Sequence, residues 1–518
     1  MAIKRYKADT NTTIVNAFKA DLKTRGTGSN AGKADVLETF SVYDRQATGS
    51  QELSRILIKF PIDDISTDRT NSKIPASGSV SFVLRLYNAE HSKTVPEDFK
   101  LVVAAVSQSW QEGVGLDLET YKDETKGNPG ANWISASNSA PWSSVGGDYI
   151  TSSEYVYEKS FSTGIEDLEL NVSHLVEKWI AGTQTNYGVG IHLSAAYEAY
   201  FSGASGQNSG SVVFNDLGAT KSYYTKRFFG RGSQYFFKRP VIEARWNDSV
   251  TDDRGNFYYS SSLAPAADCL NTLYFYNYIR GTLVNIPGLA AAGEIYVSLF
   301  SGSTENTELS GSKLLLYDGN VNITGGFVST GIYSASMGIT AAAMPLTKLF
   351  DVWHSGSNSG DRNRINGGTV YGTGSFLPTK IEGATAAAKP TYYLNITNLR
   401  NIYRKDETAR FNLYIRNKHW SPTIYTIASS TPESTTIISS SYRVYRLIDG
   451  YNAVPYGTGS DEHTYMSYHV SGNYFDFDMN LLEPGYAYAL KFAFYDNSLS
   501  SWVEQPDVFK FRVEDYEY

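Results

Sequence analysis

The sequence predicts an all-β protein built of several modules, and three observations carry that reading. Aromatic residues make up 14% of the 518 positions, with 39 Tyr, 25 Phe and 8 Trp. Such side chains fit pleated, half-buried surfaces, whereas helical proteins lean on Ala, Leu, Glu and Lys. Apolar and polar residues alternate with period two at many places, and turn residues drawn from 44 Gly and abundant Ser and Thr punctuate the runs.

The alternation justifies the elements in order. Val80, Phe82, Leu84 and Leu86 share one strand face, with Ser81 and Arg85 on the other. Leu168, Leu170 and Val172 alternate with Glu169 and Asn171; Phe411, Leu413 and Ile415 with Asn412 and Tyr414. Tyr488, Leu490, Phe492 and Phe494 form a further face, as do Phe509, Phe511 and Val513. Strands are also expected near Ile295–Phe300, Leu314–Tyr317 and Leu349–Trp353. One helix is predicted, from Ser173 to Gly182, with Ser173 as its cap, Gly182 as its stop and Leu175/Trp179 and Val176/Ile180 paired at i,i+4. Regular strand spacing of this kind suggests sandwiches, in which two sheets bury their inner faces.

At about 150 residues per domain the length allows three domains. The first extends over residues 1–247, closing on a strand around Val241 to Trp246. A polar run, Asn247 to Asn256, reads as a linker. The second domain covers 257–384, the Ala-rich stretch to Pro390 forms the next boundary, and a Tyr/Phe-rich sandwich fills 391–518.

Composition excludes several classes. Lys and Arg number 45 against 53 Asp and Glu, a net charge of −8, which argues against a wholesale nucleic-acid binder. No run of 18 or more apolar residues is present, so no membrane helix is expected. The N-terminal charges have no apolar stretch behind them, unlike an export signal, and the single Cys269 rules out an internal disulfide framework.

Chemistry-bearing patterns are few. Gly26 to Ala34 superficially resembles a phosphate loop, but Thr27 and Ala34 stand where Gly and a hydroxyl residue are needed, so a flexible surface loop is expected. The seven histidines show no ligand spacing, Asp476 and Asp478 read as the wet side of a strand, and His192 is expected on an outer face. No nucleophile elbow occurs. Neither an enzyme, a metal site nor a cofactor is therefore expected. The densest signal is Lys221 to Arg245, seven basic residues against the one acid Glu243, interleaved with aromatics. Three readings remain open there: contact with single-stranded nucleic acid or a glycan, a protein docking surface, or a hairpin whose rings fill the sandwich. The acidic chain favours protein over nucleic acid. The candidate interface residues are Lys226, Arg227, Phe228, Phe229, Arg231, Tyr235, Phe236, Lys238 and Arg239. Trp133 and Trp142, on a long Ser/Asn/Gly-rich segment, are candidates for exposed glycan contact.

Three segments carry a family resemblance. Ser54-Arg55-Ile56-Leu57-Ile58-Lys59-Phe60, Ser107 to Glu112 with its Trp110, and Asn171 to Trp179 followed by Gly182 and Asn186-Tyr187-Gly188-Val189 resemble a DNRLRE-type domain, a jelly roll related in shape to carbohydrate-binding modules. The insertion from Leu116 to Tyr149 departs from that pattern. The whole chain also resembles multi-domain structural proteins of tailed phages, notably in Tyr468 to Asp476 and Leu482 to Tyr486.

The resemblance implies an all-β chain with an N-terminal jelly-roll sandwich followed by two immunoglobulin-like β-sandwich domains. It implies a virion structural protein of neck, tail or head, made in the host cytoplasm. Its expected partners are other virion subunits (neck, tail, portal-proximal or capsid) in a symmetric homo-oligomer, with a host-surface glycan as a further candidate; neither membrane nor nucleic acid is expected. The alternative is a carbohydrate-binding surface module.

Overall fold

The computed structural model describes residues 2–19, 24–43, 51–91, 95–116, 130–202, 212–259, 265–289, 293–303, 305, 309, 311–339, 346–356, 368–380, 391–426, 428, 430 and 432–515. The chain is all-β, with 44% strand and 7% helix. It divides into two compact units. Met1–Asn247 with Asp461–His463 and Leu481–Glu483 forms one; Asp248–Ser460, Thr464–Asn480 and Pro484–Tyr518 form the other.

In the first unit the elements are β1 (Ile3–Lys7), β2 (Thr10–Val15), β3 (Val36–Tyr43), β4 (Gln51–Lys59), α1 (Ile62–Thr70), β5 (Ser81–Leu86), β6 (Phe99–Ala105), β7 (Val156–Phe161), β8 (Leu168–Asn171), α2 (Ser173–Ile180), β9 (Val189–Leu193), β10 (Tyr223–Phe229) and β11 (Val241–Arg245). They pair as a four-stranded sheet, β1-β11-β5-β8, and a seven-stranded sheet, β10-β3-β4-β9-β6-β7 with β2 on β4. The chain passes repeatedly from one sheet to the other, the habit of a jelly roll. Phe82, Leu84 and Ile242 of the smaller sheet share a core with Ile56, Leu101 and Ile191 of the larger. Each such side chain contributes about 1.5–3 kcal/mol by leaving water.

The helix α2 lies where its periodicity predicts, burying Leu175, Val176 and Trp179, and Gly182 follows its end with φ +69°. Ser173 is not its cap. It sits in the first turn, donating to Asn171 Oδ1 at 2.7 Å and accepting from the Phe82 amide at 2.8 Å, so it ties the helix to β5. The helix α1 buries only Ile62, Ile65 and Asp68, too sparse a stripe for periodicity to reveal.

A second core lies on the far face of the larger sheet. Period two sends Ile56 and Ile58 of β4 into the main core, and sends Leu53 and Leu57 to the other side. There they meet Val106, Ala131, Trp133, Ala136 and Trp142. The described parts of the long insertion thus form a packed third layer, and β4 is buried on both faces.

The second unit holds β12 (Tyr258–Tyr259), β13 (Asn271–Tyr276), β14 (Tyr278–Ile279), β15 (Thr282–Leu283), β16 (Ile295–Gly302), β17 (Ile323–Ser329), β18 (Ile332–Met337), β19 (Lys348–His354), β20 (Val370–Phe376) and β21 (Thr379–Lys380). Six of them run in one sheet, β13-β18-β17-β16-β19-β20. Within β17, Ile323 to Gly325 pairs with β16 and Gly326 to Ser329 with β18, so the sheet is handed over at the Gly325-Gly326 step. A Cβ on Gly325 would lie 2.6 Å from Ser334 O, so the close approach of the two backbones needs glycine at that position. Leu273 and Tyr333 from one side of this step share a core with Val297, Leu299 and Trp353 from the other. The strand expected at 314–317 is absent: Leu316 closes a turn by donating its amide to Asn320 O at 2.8 Å, and only isolated bridges hold the segment.

The remaining strands are β22 (Tyr392–Ile396), β23 (Ile402–Arg404), β24 (Thr408–Asn417), β25 (Ser440–Arg446), β26 (Asn452–Val454), β27 (Ser467–His469), β28 (Gly472–Asp478), β29 (Ala487–Asp496), β30 (Ser501–Glu504) and β31 (Phe509–Glu514). They make an immunoglobulin-like sandwich of β22-β24-β28-β27 against β23-β31-β29-β25-β26, with β30 on β29. The core is aromatic. Phe475 stacks on Tyr442 at 4.0 Å and on Phe411 at 5.2 Å, with Phe492 at 6.1 Å.

The polar run before β12 is not a free tether. Val250 N donates to Ser467 Oγ at 2.9 Å, and Asp252 N donates to Tyr468 O at 3.1 Å. Arg254 forms a bidentate pair with the buried Asp351 at 2.6 and 2.9 Å. The segment is therefore bonded to both sandwiches of its unit.

Candidate functional site

The basic-aromatic stretch of the first unit is largely consumed by the fold. Lys226 is 0% exposed, and its ammonium donates to Asn88 Oδ1 at 2.7 Å, Gly164 O at 2.8 Å and Glu166 O at 2.7 Å. Burial pushes its pKa down to about 8, against the pull of Glu166 and Asp167. Phe228 is also fully buried, in the main core. These two residues are corrected from interface to interior, because β10 pairs with β3 and turns both even positions inward.

The rest of the stretch is engaged in place. Arg227 pairs with Glu38 at 3.1 Å, and Arg231 with Glu112 at 2.5 Å. Arg239 donates to Ser233 O at 2.8 Å. The Lys238 ammonium lies 4.9 Å from the Phe229 ring and 5.4 Å from that of Tyr235, and Lys7 lies 3.5 Å from that of Phe236. Tyr235, half exposed, remains outward.

Trp133 and Trp142 are likewise corrected. They are 0% and 5% exposed and belong to the second core, so they offer no ring to a sugar. The loop Gly26 to Ala34 is also packed: Ser29, Asn30 and Ala31 are buried, and Asn30 Oδ1 accepts from the Gly115 amide at 3.0 Å. His192 does turn away from the main core, but the third layer covers it. Its ring lies 5.3 Å from Tyr149, and burial, aided by the charge of Arg55, pushes its pKa down to about 4.

An accessible site appears instead at one edge of the C-terminal sandwich. A groove of about 550 Å³ opens between the edge strand β22 and the β29–β30 hairpin, within the range of ligand sites. Tyr392 and Phe494 meet edge to face at 5.6 Å in it. Polar groups from the hairpin join them. Asp496 accepts from the Ser498 amide and hydroxyl at 2.9 and 2.5 Å; Glu504 accepts from Lys491 at 2.5 Å, Arg443 at 2.9 Å and Tyr456 at 3.1 Å. Those cations hold the Glu504 carboxyl below its usual range although burial alone would raise it.

Around the same edge lies a cluster of cations and rings. Tyr393 of β22 stands directly across from Arg416 of β24, and their outward side chains approach with the guanidinium 6.0 Å from the ring. Arg416 is 5.6 Å from Trp420 as well, and the Lys418 ammonium is 5.0 Å from Tyr393. Lys418 also lines the groove, joining the two features. Sequence reading missed this site because its strands lie far apart in the chain and no motif marks it. The signal available was the basic-aromatic run Arg416 to Trp420, with the Tyr392-Tyr393 pair separately upstream of it.

Among the described residues no group of three or more His, Cys, Asp and Glu converges as a metal site, and no helix is long and apolar enough to cross a membrane. No family model matches the chain. No curated protein matches it either. Among solved structures, fibronectin(III)-like modules of Clostridium thermocellum CbhA align at 10% identity over 52% of this chain and 92% of theirs, TM-score 0.14. The titin domains z1z2 in complex with telethonin align at 9% identity over 50% and 91%, TM-score 0.14. A DUF4785 family protein from Legionella pneumophila aligns at 9% identity over 93% and 90%, TM-score 0.12. Likenesses this slight carry no argument; the fold class stands on the strands and sheets described above.

Proposed function

We propose that this chain is a non-enzymatic structural protein of a tailed-phage virion, a neck, tail or head-attached component that works through interfaces between β-domains. The sequence resemblance supports that reading, and so does an all-β architecture of tandem sandwiches. One observation carries it. Ile424 and Tyr425 are 91% and 87% exposed at the centre of the turn Thr423–Thr426, which closes by Thr426 N donating to Thr423 O at 2.9 Å. Turn centres ordinarily hold Gly, Asn, Asp or Pro. Two large apolar side chains held out by a tight turn are the chemistry of a docking knob, and aromatic anchors seated in a partner's pocket dominate interface energetics. A symmetric particle would repeat that contact and multiply its strength.

The test is quantitative mass spectrometry of gradient-purified particles, calibrated against the major capsid protein. A fixed stoichiometric ratio supports the proposal, and absence from particles overturns it. The double variant Ile424→Ser/Tyr425→Ser is expected to fold normally and to be lost from particles.

A further inference from the structure

We propose that Tyr393, Arg416, Lys418 and Trp420 form a subsite for the carboxylate-bearing sugar of an acidic polysaccharide, with the adjoining groove taking the hydroxyls of its neighbours. The charges argue first. Seven arginines lie between residues 391 and 515. Six of them (Arg400, Arg404, Arg410, Arg443, Arg446 and Arg512) sit against a carboxylate of the same sandwich. Arg416 alone has none among the described residues, and its guanidinium neighbours the rings of Tyr393 and Trp420. A bound carboxylate would supply the missing partner, which guanidinium groups hold with their planar fork of donors. Lys418 adds a second positive charge whose neighbour is a ring rather than an acid.

The shape and polarity argue next. Tyr393 is 55% exposed and edge-placed, so its ring can cover the apolar face of a pyranose. Beyond Lys418 the groove presents Asp496, Asn497, Glu504 and Gln505. These accept or bridge hydroxyl groups. An acidic peptide would meet the two carboxylates unfavourably, whereas a polymer that alternates carboxylates with hydroxyls suits both ends. The site lies outside the residues sequence reading assigned to glycan contact. It does not depend on particle association: a virion protein and a cell-surface protein would use it alike.

The experiment titrates the full chain by calorimetry with hyaluronate oligosaccharides, in which glucuronate alternates with an uncharged N-acetylglucosamine, with their methyl ester, and with poly-glutamate. Binding of the acid form, loss of about tenfold or more in affinity for the ester, and a similar loss in Arg416→Gln and in Lys418→Gln are expected. Both side chains are outward, so the variants should unfold at the wild-type midpoint; Tyr393→Ala, which keeps both charges, should weaken binding independently. Equal binding of acid and ester, undiminished binding by the variants, equal or tighter binding of poly-glutamate, or no saccharide binding would each overturn the proposal.

Discussion

Arg55 and Glu198 form a bidentate ion pair sealed beneath the third layer of the first unit. Arg55 Nη2 donates to both carboxylate oxygens at 3.2 Å, and the residues are 7% and 5% exposed. Arg55 Nη1 also donates to Gly146 O at 3.2 Å, and its guanidinium lies 5.5 Å from the Trp133 ring. One guanidinium thus joins β4, the segment after β9 and the covering layer. Removing one partner of a buried pair strands the other charge at a cost of about 3–5 kcal/mol, whereas apolar replacement of both is far milder. Glu198→Gln should therefore lower unfolding stability by about 3 kcal/mol, and Arg55→Met/Glu198→Leu should recover part of that loss, read by urea denaturation. A single variant as stable as wild type would refute the assignment.

The same enclosure makes His192 acid-sensitive. Its Nδ1 lies 2.7 Å from Leu193 O, so the neutral ring donates there, and Glu198 Oε1 is 3.9 Å away. With its pKa pushed down to about 4, against about 6.5 for an unfolded histidine, the unfolded chain binds the extra proton between those values. The stabilising contribution is complete above about pH 6.5 and falls as the pH drops toward 4. By pH 5 the loss is about 2 kcal/mol. His192→Phe, which keeps a ring against Tyr149, should reduce the stability lost between pH 7.5 and 5 by about 2 kcal/mol. The shares of His354 and His463, whose pKa values burial also lowers to about 4, would remain. An unchanged slope would remove His192 as a contributor.

Much of the fold was legible because strands with one wet face alternate. Phe411, Leu413 and Ile415, or Tyr488, Leu490 and Phe492, announce their buried side directly, and all six are buried. The third layer was not legible. Trp133 and Trp142 lie among Ser, Asn and Gly, a composition that reads as an exposed loop, and only the far face of β4 reveals what they cover. Lys226 misled for the opposite reason. Its charge suggests surface, yet two backbone carbonyls and one side-chain amide oxygen supply the acceptors that water would. The C-terminal groove depends on a cross-strand register between Tyr393 and Arg416, which no local pattern encodes.

Lys226 separates interior from surface within one strand. Lys226→Met would leave Asn88 Oδ1, Gly164 O and Glu166 O without their shared donor, and each buried acceptor so stranded costs about 1–3 kcal/mol. Neighbouring Arg227 has a side chain 39% exposed and paired with Glu38. Surface pairs of that kind contribute about 0–1 kcal/mol. Thermal unfolding should therefore show a midpoint many degrees lower for Lys226→Met and nearly unchanged for Arg227→Ala. Equal midpoints would mean that the ammonium network does not hold β10 in place.

Asn30 is gripped by a collar of glycines whose missing Cβ atoms decide whether the loop can close. A Cβ on Gly115 would lie 1.8 Å from Asn30 O, one on Gly130 2.3 Å from Asn30 Nδ2, and one on Gly32 2.3 Å from Glu112 O. The clashes at Gly115 and Gly32 are with backbone, which cannot swing aside as a side-chain end can. Gly115→Ala must therefore displace the segment that donates to Asn30 Oδ1, and overpacking of this kind costs about 1–3 kcal/mol. Gly326 offers the control. Nothing lies within 4 Å of its Cβ position, and its φ is not in the left-handed region, so Gly326→Ala should stay within about 0.5 kcal/mol of wild type. Urea unfolding of the two variants side by side gives the answer: a Gly115→Ala protein as stable as Gly326→Ala would show that the loop closes without the collar.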